Sequence, residues 1–164
     1  MTYSIDEFDA ILFDCDGVLT NNFVYQDENG KESVRFNRSD GLAFNALKKL
    51  GKPTYIISTE VNPVVTKRAN KLEIVAIQGV RDKTQAVKDL AIEYNYDLNK
   101  ILYVGNDLND YDVMTNVGLS ACPSDSHEEV KSISSINLNS KGGEGIVREL
   151  LEKVFELNLR KILF

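Results

Sequence analysis

Two aspartates one residue apart, Asp14 and Asp16, end the short apolar run Ile11-Leu12-Phe13, and Gly17-Val18-Leu19-Thr20 follows. Carboxylates this close repel, and burial raises at least one pKa unless a cation compensates. Ligands of open α/β sheets bind at the carboxyl ends of the strands. A strand that delivers two acids to that end points to a site awaiting a cation and a substrate. Two more apolar runs end on polar clusters: Thr54-Tyr55-Ile56-Ile57 on Ser58-Thr59-Glu60, and Ile101-Leu102-Tyr103-Val104 on Gly105-Asn106-Asp107-Leu108-Asn109-Asp110. Lys83 opens a helix between them.

The elements that must position these groups alternate along the chain. A hairpin spans about residues 22–36, with strands Phe23-Val24-Tyr25 and Ser33-Val34-Arg35-Phe36 and an Asn29-Gly30 turn. Ser39-Asp40 caps a helix through Leu50, ended by Gly51. After the strand at 54–57, Asn62-Pro63 opens a helix to about Leu72, proline being favoured in the first turn. A short strand at 74–77, a helix over Thr84–Glu93 and the strand at 101–104 follow. Next come a helix to about Asn116 and a strand over Leu119–Cys122. Ser124-Asp125 caps a short helix holding His127, Glu128 and Glu129; His127 reads as a helix-cap or surface residue. A weak strand lies at Ile136-Asn137-Leu138, and a C-terminal helix runs from about Ile146 to Leu157. Strands alternating with helices imply a mainly parallel sheet between helical layers, a three-layer Rossmann-like α/β fold. With 164 residues the chain reads as one domain, 1–164, with a single sizeable core.

The net charge of −6 disfavours nucleic acid or an anionic membrane as partner, though a bound metal would still admit a small anionic substrate. No apolar run approaches the roughly 20 residues of a membrane span, and the N-terminus lacks the pattern of a signal peptide. Cys15 and Cys122 read as reduced thiols, Cys15 as a small buried side chain, and a cytoplasmic location is expected.

The set DxDGVLT, a strand ending on Ser58, Lys83 and GNDxxD resembles the haloacid dehalogenase superfamily of phosphotransferases. Receiver domains also use acids, a hydroxyl and a lysine, but they place the lysine last; here acids follow it. Phosphate monoesters hydrolyse so slowly that enzymatic accelerations reach about 10²¹-fold, which demands heavy electrostatic stabilisation. The resemblance implies that Asp14 is the nucleophile of an aspartyl-phosphate mechanism and that Asp16 is the general acid and then the base. It further implies Mg²⁺ held by Asp14, the Asp16 carbonyl and Asp107, phosphoryl oxygens held by Ser58 and Lys83, and support from Asp110 and Asn106.

No insertion large enough for a cap domain separates Gly17 from Ser58; only the hairpin stands in its place. Phe36-Asn37…Asp40-Gly41, Gln78-Gly79-Val80…Asp82-Lys83 and Gly142-Gly143-Glu144-Gly145…Arg148-Glu149 look like the capless group. That group contains 3-deoxy-manno-octulosonate 8-phosphate phosphatases of lipopolysaccharide biosynthesis, nonulosonate 9-phosphate phosphatases acting on sialic acid-like sugars, and a domain of acylneuraminate cytidylyltransferases. The resemblance implies a Mg²⁺-dependent phosphatase of a 3-deoxy-2-ulosonic acid phosphate, assembled as a homotetramer whose hairpins pack together. The alternative is a non-catalytic tetramerisation module like the cytidylyltransferase domain. Two departures bear on substrate. Ser58-Thr59-Glu60 replaces the Thr-Gly-Arg of octulosonate phosphatases, so that Glu60 with Lys71 looks more like the nonulosonate enzymes, and Asn106 replaces the usual aspartate before Asp107. The resemblance also makes Arg148 a candidate to meet a substrate carboxylate across subunits.

Overall fold

The computed structural model describes residues 3–164. Strand β1 (Ala10–Phe13) is wholly buried because both of its faces are covered. The hairpin follows as β2 (Tyr25–Gln26) and β3 (Glu32–Ser33), then α1 (Arg38–Lys49), β4 (Thr54–Ile57), α2 (Pro63–Leu72) and β5 (Val75–Ile77). The second half runs α3 (Lys83–Tyr94), β6 (Ile101–Val104), α4 (Tyr111–Thr115), β7 (Leu119–Cys122), α5 (Glu128–Ile133) and β8 (Ile136–Asn137). It closes with α6 (Ile146–Glu149) and α7 (Leu159–Leu163).

The six main strands are all parallel, in the order β5-β4-β1-β6-β7-β8. The chain builds outward from β1 on one side and then returns to add β6 on the other. The reversal of strand order therefore falls beside β1, where open sheets leave their crevice. Side-chain alternation divides the core in two. Ile11 and Phe13 join Phe44, Leu47, Val65 and Leu150 under α1, α2 and the C-terminal helices. Leu12 joins Tyr55, Ile57, Val87, Leu90, Tyr103 and Met114 under α3 and α4. This is the expected three-layer α/β architecture. No helix among the described residues is long and apolar enough to cross a membrane.

Most helix starts follow side-chain chemistry. Asn37, two residues earlier than the expected Ser39, caps α1 by accepting from Ser39 N, and Asn62 caps α2 ahead of Pro63. Lys83 is the first residue of α3 because Asp82 caps it, accepting from Gln85 N at 2.9 Å. Three expectations need correction. The hairpin strands are only two residues each, since Asp27 Oδ1 accepts from both Asn29 N and Lys31 N and draws the turn in early. His127, not Ser124-Asp125, caps α5: its Nδ1 accepts from Glu129 N, while Asp125 Oδ1 accepts from Gly142 N. The C-terminal helix is broken, because α6 widens into a π-helical turn over Leu150–Val154 and Glu156 takes φ +51 before α7 begins.

Candidate active site

The carboxyl ends of β1 and β6 and the start of α3 meet at one buried ion cluster. Lys83 Nζ lies 2.7 Å from Asp14 Oδ1 and 2.7 Å from Asp110 Oδ1. All three groups are buried, at 3%, 5% and 0% exposure, so the pairing is not the weak kind found on surfaces. Asp110 is the better supported acid. Its Oδ1 also accepts from the Tyr103 hydroxyl at 2.9 Å, and its Oδ2 accepts from Asn106 N at 2.9 Å and Asp107 N at 3.3 Å. Gly105 makes this possible, since a Cβ there would lie 2.6 Å from the Asp110 side chain. Asp110 thus orients Lys83 and shapes the loop after β6. Burial, then repulsion from Asp110, push Asp14 up to about 7 against the attraction of Lys83. Burial also opposes charge on Lys83, but the two carboxylates outweigh it and hold the ammonium above the usual lysine range.

Asp16 sits half-buried on the next turn. Burial raises its pKa, opposed chiefly by a hydrogen bond from Thr20. Thr20 Oγ1 donates to Asp16 Oδ1 at 3.1 Å and accepts from Gly17 N at 3.2 Å and Asn22 N at 3.3 Å. The turn is braced from behind by the Gly142-Gly143 loop, where Gly143 N donates to the Val18 carbonyl at 2.9 Å. A Cβ on Gly142 would stand 2.1 Å from the Gly17 carbonyl oxygen, so the approach needs glycine. Thr20, Tyr103 and Gly142 are parts of the site to which no role was assigned from sequence. The spacing of Thr20 from Asp16, a hydroxyl reaching back across one turn, is the signal that could have found the first. Thr20→Val should lower kcat/KM by about 10- to 100-fold, within the usual worth of a positioned acid. The apparent pKa of the alkaline limb, where the general acid is lost, should also rise, because a bond that favours the charged form is lost; a pH–rate profile checks both.

Opposite Asp14 Oδ1, the second oxygen faces Asn106. The Asn106 carboxamide places one terminal atom 2.9 Å from the Asp16 carbonyl oxygen and 3.1 Å from Asp14 Oδ2. In that place the amide nitrogen donates to both oxygens. Asp107 is exposed, and its Oδ1 accepts from Leu108 N at 2.8 Å. Among the described residues no three His, Cys, Asp or Glu side chains cluster as a metal site. The Asp14 carboxylate and the Asp16 carbonyl converge here, both of them oxygen donors. That chemistry fits a hard divalent cation, whose charge would offset the carboxylate.

Ser58 is buried at the end of β4, beside β1, and its Oγ accepts from Glu60 N at 3.2 Å, leaving its proton free to donate. A cleft opening from Asp16 is lined by Asn22, Val24, Glu32, Glu60 and Asn62, so Glu60 stands at the mouth. Lys71, exposed near the end of α2, does not line it. Arg148 lines a different cleft, where its Nε donates to Glu152 at 2.8 Å and its backbone N donates to Asp40.

An aspartate pair at a sheet's topological switch, a buried lysine shared with a third acid, and a hairpin where a cap would stand together define a class. The chain belongs to the haloacid dehalogenase-like hydrolases, whose family model matches residues 18–150, and it is a phosphatase of that family. Among curated relatives it is 31% identical over 145 residues to the 3-deoxy-D-manno-octulosonate 8-phosphate phosphatase of Yersinia pestis, covering 88% of this chain and 78% of that one. A HAD family hydrolase from Streptomyces avermitilis superposes with a TM-score of 0.93 at 34% identity, covering 97% of this chain and 91% of the other. The corresponding octulosonate phosphatase of Moraxella catarrhalis, solved with magnesium, phosphate and KDO, has a TM-score of 0.88 at 29% identity, with 93% and 88% covered.

Proposed function

We propose that the protein is a Mg²⁺-dependent phosphatase of a 3-deoxy-2-ulosonic acid phosphate, working through an aspartyl-phosphate. The observation that carries this reading is the Asp14–Lys83–Asp110 cluster, which sets a buried carboxylate against a lysine ammonium at the switch point. Asp14 Oδ1, held by Lys83, attacks phosphorus in line with the ester bond. The phosphoryl group passes to Asp14, and the departing sugar oxygen takes the proton of Asp16, whose burial favours the protonated acid. A water then attacks the aspartyl-phosphate and returns a proton to Asp16; inorganic phosphate leaves and Asp14 is restored. Ser58 and Lys83 donate to the phosphoryl oxygens, and a bound Mg²⁺ would add neutralisation of their negative charge.

The eight-carbon 3-deoxy-manno-octulosonate 8-phosphate is the substrate favoured by the relatives. Glu60 at the cleft mouth favours a nine-carbon nonulosonate 9-phosphate as a second reading. A cytoplasmic homotetramer is part of the proposal, with Phe23, Val24 and Tyr25 of the exposed hairpin supplying the apolar contact and Arg148 meeting a neighbour's substrate. Phosphate release from a panel of eight- and nine-carbon ulosonate phosphates, with Mg²⁺ and with EDTA, tests this. One substrate should lead the others in kcat/KM by at least about tenfold. No Mg²⁺-dependent release from any of them would overturn the assignment.

A further inference from the structure

We infer that Asp40 is a positioning residue for the turn that carries Asp16: by capping α6 from 108 residues away, it holds the Gly142-Gly143 loop against that turn. The inference rests on the phosphatase reading only for the role of Asp16. Asp40 is buried in the first turn of α1, at 2% exposure. Its Oδ1 accepts from Arg148 N at 3.1 Å, and its carboxylate also takes a backbone bond from Val147. Val147 and Arg148 are the second and third residues of α6, whose N–H groups have no partner within the helix. The residue at the cap position cannot serve them. Gly145 has φ +94, a conformation side chains rarely adopt, and a Cβ there would stand 3.1 Å from Ser39 Oγ. The start of α6 therefore depends on an acceptor from elsewhere in the chain, and Asp40 supplies it.

The loop between α6 and the Asp16 turn has little slack. Glu149 N donates to the Gly145 carbonyl at 2.9 Å, Glu144 N to the Lys141 carbonyl at 3.0 Å, and Gly143 N to the Val18 carbonyl at 2.9 Å. From the other side, Thr20 pairs with Phe36 in an isolated antiparallel bridge, and Asn37 caps α1 directly after it. Asp40 closes the ring: the turn leads to Phe36, to the start of α1, through Asp40 to the start of α6, and through Gly143 back to the turn. An anion suits this junction because it stands at the N-terminal ends of two helices, and the charges of Arg68 and Arg148 favour it as well.

Amide exchange followed by NMR, with steady-state kinetics at a temperature where every variant is folded, reads this directly. Asp40→Ala should speed exchange at Leu19, Thr20 and Gly143, and lower kcat by about tenfold or more with KM within about threefold. Asp40→Asn keeps an acceptor oxygen and should restore both. Leu90→Ala, in the opposite layer of the core, should lower the melting temperature and leave kcat unchanged. Should Asp40→Ala fail to fold, Asp40→Ser, whose hydroxyl sits on a shorter arm, must show the same changes in smaller measure. Unaltered exchange at the three amides, unaltered kcat in an active enzyme, an equal loss in Asp40→Asn, or an equal loss of kcat in Leu90→Ala would overturn the inference. Substrate is a separate matter: a protein that released phosphate from no ulosonate ester yet showed the exchange pattern would refute the phosphatase reading and uphold the link from Asp40 to the turn.

Discussion

Asp14→Asn should abolish Mg²⁺-dependent phosphate release, lowering kcat by at least about 10⁴-fold, the scale on which loss of a covalent nucleophile is felt. The amide is close to the carboxylate in shape but cannot form the acyl phosphate. The fold should survive the change, and the reason lies in the charge count. Asp14 and Asp110 share the single ammonium of Lys83, so with both acids ionised the buried cluster carries one unpaired negative charge. Burial pushes Asp14 to about 7, which marks its ionised form as the strained partner. Removing that charge leaves a matched Lys83–Asp110 pair. The metal-stripped variant should therefore melt at the same temperature as the unaltered protein or higher, while rapid-quench experiments find no phosphorylated enzyme. A variant that turned over normally would remove Asp14 from the mechanism.

Much of this arrangement was legible because it depends on short-range signals. Four-residue apolar runs at 10–13, 54–57 and 101–104 admit little besides buried strands, and Asp14, Ser58 and Asp107 follow them within a few residues. Lys83 was legible as the first residue of a helix, and the family resemblance joined these separate ends into one site. The inward turn of the Asn106 side chain toward Asp14 was not legible. Asn106 and Asp107 are neighbours in one loop, and residue type favours the acid as ligand. The choice is made by Asp110, which accepts from both backbone N–H groups and so fixes which side chain turns inward. That is a tertiary constraint with no local signature. The C-terminal break is of the same kind: Leu150 and Leu151 keep helical periodicity, yet packing on the β1 face is met through a π-helical turn.

Lys83→Met should damage both activity and stability. Methionine keeps the length of the side chain but leaves Asp14 and Asp110 buried with no cation between them, and breaking a buried pair in this way costs about 3–5 kcal/mol. The sign of the pH dependence follows. In the unaltered protein Asp14 is raised from 3.8 to about 7, so the folded state binds more protons than the unfolded chain across that window, and stability falls as pH rises through it. Without Lys83, an interaction that lowers the Asp14 pKa is lost, the folded value moves higher, and the fall becomes steeper and extends further upward. Urea melts of metal-stripped protein at pH 5 and pH 8 should show the variant losing more stability between them than the unaltered chain. Adding Asp110→Asn removes one of the two facing charges and should recover part of the stability without recovering kcat, because the phosphoryl oxygens still lack the ammonium. Recovery of both would make Lys83 a purely structural counter-ion; recovery of stability alone gives it the two roles its position implies, holding the acids apart before substrate binds and meeting the phosphate once it does.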